Sequence, residues 1–138
     1  MKFKIKDKTS PVSNPSEMYE VLQQVWKKVD VIDREKEHFW VIHLTTRNTV
    51  KSLELISVGT LNASLVHPRE VFTRAIKEHS CSIVVAHNHP SGVTEPSSED
   101  IQMTRRLVDA GNILGIQVLD HIIYTADSYE SLRSRGDM

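Results

Sequence analysis

The stretch Ser82-Ile83-Val84-Val85-Ala86-His87-Asn88-His89-Pro90-Ser91-Gly92, continued by Pro96-Ser97-Ser98-Glu99-Asp100, constrains how the rest of the chain is arranged. Ser82–Ala86 is a short unbroken apolar run, expected of a central strand covered on both faces. Two prolines and a glycine between His87 and Pro96 predict a surface loop. Ser97 then opens a helix that carries Ile101, Thr104, Leu107 and Val108 inward and ends near Gly111. His87 and His89 are two residues apart at a strand end, so alternation sends both imidazoles to one side. Asp100 arrives in the first turn of the next helix. Two imidazoles and a carboxylate are a zinc ligand set, and three protein ligands leave a fourth position for water. Each piece has a plainer reading, since Ser97 and Asp100 alone make an ordinary helix-capping pair. Their convergence on one strand end points to a metal site.

Outward from this stretch, helical and strand patterns interleave. Asn14-Pro15-Ser16-Glu17 predicts a capped helix start, with Met18, Val21, Leu22, Val25, Trp26 and Val29 at helical spacing. His38–Leu44 predicts a buried strand, Thr45–Asn48 a turn and Val50–Val58 the returning strand. Gly59 to Ala63 is expected as loop. Pro68 opens a helix with Val71, Phe72, Ala75 and Ile76 on one apolar face. Gln117–Tyr124 is the last expected strand, with a short polar helix or tail from Asp127. The fold class is α/β, a layered mixed central β-sheet with helices packed on its faces. Two segments are expected: a basic N-terminal segment over 1–13, either edge strand or tail, and one domain over 14–138.

The 138 residues suffice for a buried core. A net charge of −1 argues against a generally basic nucleic-acid binder or a membrane-surface protein. One cysteine, Cys81, excludes an internal disulfide and the thiolate-rich zinc sites. Without an apolar leader in MKFKIKDK or a membrane-length apolar run, the expected location is cytoplasmic.

His87-x-His89-Pro90 with Ser97-x-x-Asp100 matches the JAMM motif of the JAB/MPN metalloprotease family. The fuller string HNHPSG, the run Met103–Leu107 and Leu119-Asp120-His121-Ile122-Ile123 resemble its RadC subgroup, over roughly Asn14 to Tyr124. The resemblance implies a JAB/MPN-like fold, one Zn2+ per chain on His87, His89 and Asp100, and hydrolysis of amide or isopeptide bonds. It also implies a glutamate on the first core strand as general base. Glu37 abuts the apolar run and is the matching position, with Glu35 as competitor. Ser97 is the expected donor to the developing oxyanion. Asp120 or His121 is expected either to orient a ligand imidazole or to form a buried structural pair. His38, His43, His67 and His79 read as structural or solvated.

The expected partner is a peptide or an isopeptide-linked protein. RadC proteins often carry a preceding helix-hairpin-helix region, which a chain this short is not expected to contain. A DNA-associated role therefore rests on the Lys2–Lys8 comb and Arg105-Arg106, and charge runs are usually solvated faces. The third alternative is a non-catalytic MPN scaffold, against which the retained His87, His89, Asp100 and Ser97 speak.

Overall fold

The computed structural model describes residues 2–3, 11–12, 14–59 and 66–138. Its described elements are β1 (Lys2–Phe3), α1 (Pro15–Trp26), β2 (Glu37–Leu44), β3 (Val50–Gly59), α2 (Pro68–Lys77), β4 (Ser82–Asn88), α3 (Ser98–Leu114), β5 (Gln117–Tyr124), β6 (Tyr129–Ser131) and α4 (Leu132–Arg135). A 3-10 turn, Asp33–Glu35, precedes β2. The strands form one sheet in the order β1-β3-β2-β4-β5-β6. β4 and β5 pair in parallel, and the other neighbouring pairs run antiparallel. The fold is therefore the mixed α/β arrangement expected. The parallel pair follows from its connection, because α3 carries the chain back across the sheet between β4 and β5.

Alternation along the central strands divides the interior into two cores. Trp40, Ile42, Val84, Ala86, Ile122 and Tyr124 face Val21, Leu22 and Val25 of α1. Phe39, Val41, Ile83 and Val85 face Phe72 and Ala75 of α2 and Met103 and Leu107 of α3. Every residue of β4 is buried, which is why that strand is apolar on both faces. Asn14 caps α1 by accepting from Glu17 N–H at 3.0 Å, and its Nδ2 donates to the Glu17 carboxylate at 3.0 Å.

Several boundaries differ from the expectation. β4 runs through His87 to Asn88, so the loop begins only at His89. α3 passes Gly111 and ends at Leu114, where Gly115 takes the left-handed conformation with φ 75°. Gly111 instead lets α3 approach β5: an added Cβ would stand 2.3 Å from the carbonyl oxygen of Ile116. Ile76 is 54% exposed, so the apolar face of α2 is Val71, Phe72 and Ala75. Within α3, Met103, Thr104 and Leu107 are buried, while Ile101 and Val108 are only half-buried. After Asp127 the chain adds β6 before its final helical turn. Lys2 and Phe3 pair with β3 at the sheet edge. The remainder of the lysine comb, 4–10, and most of the loop expected after Gly59, 60–65, lie outside the described residues.

Candidate metal centre

The C-terminal end of β4 and the first turn of α3 meet at one point, as side chains commonly do at the carboxyl ends of parallel strands. His87, His89 and Asp100 converge there, each offering a ligand atom within 4.8 Å of the others. The two Nε2 atoms are 3.0 Å apart. Asp100 brings Oδ1 to 3.5 Å from His87 Nε2 and Oδ2 to 3.4 Å from His89 Nε2. Ligands about 2.0–2.1 Å from a tetrahedral ion lie about 3.3–3.4 Å from one another. The donor set and its spacing thus fit a small divalent cation.

Local chemistry holds each group. His89-Pro90-Ser91-Gly92 is a tight turn closed by Gly92 N–H donating to the His89 carbonyl at 3.1 Å. Proline at the second position and glycine at the fourth suit such a turn, and Gly92 adopts φ 86°. The turn presents the Val93 carbonyl to His89 Nδ1–H at 2.8 Å. Because a carbonyl only accepts, His89 carries its proton on Nδ1 and turns Nε2 to the cluster. Ser97 and Asp100 form a reciprocal capping box. Ser97 Oγ accepts from Asp100 N–H at 3.0 Å, and Asp100 Oδ2 accepts from Ser97 N–H at 2.9 Å. The cap that starts α3 is also what aims the carboxylate. It uses a lone pair of the Ser97 hydroxyl and leaves the hydroxyl proton uncommitted to that bond.

The electrostatics favour positive charge at this point. Burial alone would raise the Asp100 carboxyl, but hydrogen bonds and charge from His87 and His89 in their protonated form hold it well below the usual carboxylate range. The Asp100 hydrogen bond raises His89 above an ordinary imidazole, against its partial burial, and the charge of Glu37 pushes the same way.

Glu37 and Glu35 separate cleanly. β2 pairs with β4 with Phe39 opposite His87 as the last pair, so Glu37, two residues back on the same face of β2, lies just beyond it, and its charge reaches His89. Glu35 is not on the strand; it closes the 3-10 turn and is exposed. The competitor Glu35 is thereby set apart from Glu37, because strand alternation does not extend to it.

The roles of Asn88 and Thr104 at this site escape a sequence reading, and His121 was only one of two candidates for the place it takes. Asn88, between the histidines and 2% exposed, points to the α1 face. Its Oδ1 accepts from His38 N–H at 2.6 Å and its Nδ2 donates to the Lys36 carbonyl at 3.0 Å. It therefore grips the backbone on both sides of Glu37. Fully buried His121 lies 2.7 Å, Nε2 to Nδ1, from His87, and Thr104 Oγ1 lies 2.6 Å from its other nitrogen. Of Asp120 and His121, it is His121 that lies against His87. Asp120 accepts from Ser131 Oγ, Arg133 N–H and His121 N–H and ties down the C-terminal segment. Burial raises its carboxyl, against those hydrogen bonds. Helical spacing from Asp100 to Thr104 was the one signal available for the threonine.

The other histidines serve the scaffold. His43 is buried between Ser80 and Glu54, His38 stacks on Trp40, and His67 caps α2. His79 occupies a left-handed turn, with φ 54°. Beside His89 opens a cavity of about 390 Å³, lined in part by Trp26, Lys27, Arg34, Asn88 and Thr125.

Residues 12–137 match the model of the RadC-like JAB domain. The chain belongs to this family. The RadC-like JAB domain is 51% identical over 126 residues to a UPF0758 protein of Desulfitobacterium hafniense, covering 91% of this chain and 54% of that one. It is 46% identical over 125 residues to the UPF0758 protein TTE0897 of Caldanaerobacter subterraneus, covering 91% and 52%. A UPF0758 protein of Alkaliphilus oremlandii is 58% identical over 98 residues, covering 71% and 42%. The chain spans about half the length of these curated relatives, and the designation UPF0758 states no activity. Among the described residues no helix of this RadC-like domain is long and apolar enough to cross a membrane.

Proposed function

We propose that the domain is a zinc-dependent hydrolase of amide or isopeptide bonds acting on a peptide or an isopeptide-linked protein. The observation that carries the reading is the convergence of His87 Nε2, His89 Nε2 and the Asp100 carboxylate at tetrahedral spacing, with Glu37 two residues before the partner of His87 and its charge felt at His89. Neutral imidazoles and a carboxylate suit zinc, and the absence of thiolates from the cluster leaves no competing soft-metal reading. Zinc, when bound, supplies water activation near neutral pH and Lewis acidity toward the scissile carbonyl.

The chain's own residues account for the remaining work. Asp100, pinned by the Ser97 cap, and His89, pinned by Val93, hold their donor atoms without rearrangement. Glu37 takes a proton from the attacking water and returns it to the departing amine nitrogen, so one carboxylate acts as base and then as acid. The Ser97 hydroxyl donates its proton as a hydrogen bond to the carbonyl oxygen as negative charge develops there. The cavity beside His89 gives the substrate a place next to the reacting bond.

The test begins with metal content. Protein purified without a histidine tag is expected to carry about one zinc per chain, and His87→Ala and His89→Ala to lose it. A panel of peptide and isopeptide-linked reporters then measures turnover. Full occupancy in both alanine variants overturns the ligand assignment; no hydrolysis of any reporter by the zinc-loaded protein overturns the activity.

A further inference from the structure

We propose that Thr104 and His121 form a hydrogen-bond chain of fixed polarity that keeps the Nε2 lone pair of His87 turned toward the ligand cluster, so that the site is preset for a cation. The inference rests on the metal-site reading above and names residues that position His87 rather than touch the metal.

The polarity starts on α3. The backbone carbonyl of Asp100 can only accept, so Thr104 Oγ1, 2.7 Å away, spends its single proton on it. Toward His121 Nδ1, at 2.6 Å, the threonine oxygen then offers only lone pairs. His121 must therefore carry its proton on Nδ1. Its Nε2, 2.7 Å from His87 Nδ1, is left as an acceptor. His87 accordingly donates from Nδ1 and keeps a bare Nε2. His89 reaches the same tautomer independently, through Val93. The outcome is two bare Nε2 atoms 3.0 Å apart beside a carboxylate, a set of acceptors with no donor among them when the rings are neutral.

The surroundings protect this polarity. His87, Thr104 and His121 are at most 1% exposed, so solvent has little opportunity to supply a competing donor. Phe39 covers the chain, stacked on His87 at 6.2 Å and edge-on to His121 at 5.9 Å. Metal-bound imidazoles generally give their second nitrogen to a carbonyl or carboxylate. Here another imidazole takes that role, and an imidazole can be read in either direction. Without Thr104, His121 can move its proton to Nε2 and donate to His87, which would then hold its own proton on the nitrogen that faces the cluster.

The test reads the tautomers directly. The full chain, freed of metal and labelled with 15N-histidine, is examined at pH 8 by long-range 1H–15N correlation. Wild type is expected to show Nδ1–H on both His87 and His121; Nε2–H on His87 overturns the proposal and needs no variant. Thr104→Val, close to isosteric, should switch His87 to Nε2–H and weaken zinc, measured against a chromophoric chelator, by about 10–100-fold. Thr104→Ser retains the hydroxyl and should stay within a few-fold of wild type. A valine variant with unchanged tautomers and unchanged zinc affinity also overturns the chain. If wild type shows both Nδ1–H tautomers yet binds no zinc, the polarity stands and the metal reading falls.

Discussion

Replacing Asn88 separates what holds the base from what holds the metal. Its side chain, 2% exposed, accepts from His38 N–H at 2.6 Å and donates to the Lys36 carbonyl at 3.0 Å. In Asn88→Ala the His38 N–H, on a residue only 3% exposed, loses that acceptor. A buried donor left without a partner costs about 1–3 kcal/mol. The Lys36 carbonyl belongs to an exposed residue and can turn to water at small cost. With the void left by the amide, the expected loss is about 2–4 kcal/mol, or roughly 6–15 °C in Tm for a domain of this size. Urea denaturation checks the first figure and a thermal melt the second. The same clamp fixes the backbone on either side of Glu37, so a reporter that wild type hydrolyses should turn over about 100-fold more slowly, the usual cost of misplacing a catalytic group by an ångström. Asn88→Asp sharpens the test. It keeps an acceptor for His38 N–H but sets an oxygen against the Lys36 carbonyl and buries a charge. It should be at least as unstable as the alanine variant at pH 7. Its deficit relative to wild type should narrow as pH falls and the protonated acid can donate to that carbonyl. Stability within about 0.5 kcal/mol of wild type together with unchanged turnover, in the alanine variant, would refute the clamp.

Glu37→Gln should cut turnover by about 10²–10⁴-fold with zinc content unchanged, whereas Glu35→Gln, in the exposed 3-10 turn, should leave the rate nearly untouched; the opposite pattern would make Glu35 the base. Burial pushes His43 below an ordinary imidazole despite Glu54 beside it, so the unfolded chain takes up that proton first. Its stabilising contribution is complete above about pH 6.5 and declines as pH falls toward the lowered value, by up to about 1.4 kcal/mol per pH unit. His43→Gln should flatten the stability profile as pH falls below about 6.5, and an unchanged slope would show that His43 does not supply it. Gly111→Ala should destabilise by roughly 2–3 kcal/mol although alanine favours helix, because the added Cβ meets the Ile116 carbonyl at 2.3 Å; a variant that melts at or above wild type would show that α3 can move away.

Local pattern alone made the elements readable. Apolar spacing exposed α1, α2 and the central strands, and the Asn14 and Ser97 caps marked two helix starts. The His87-x-His89 spacing at the end of an apolar strand, with Asp100 in the next first turn, was enough to expect the ligand cluster. These features depend on neighbours a few residues away, which is the range over which periodicity and capping act. What needed the tertiary structure depends on partners far along the chain. Glu37 comes to the His87 end of the sheet only because β2 pairs with β4 with Phe39 opposite His87, while Glu35 falls in a turn that its charge run does not announce. Asn88 reads as an ordinary residue of the motif until the Lys36–His38 backbone is laid beside it. His121 is the clearest case. Alternation counted from Val118 would place it on the opposite face, away from α3. An irregularity between the β4 and β5 registers pairs Ile83 with Val118 but Val84 with Asp120, leaving Leu119 as the extra residue. That added residue reverses the alternation and brings His121 to the face where Thr104 and His87 lie. A bulge is set by the strand next door, and no pattern within β5 encodes it.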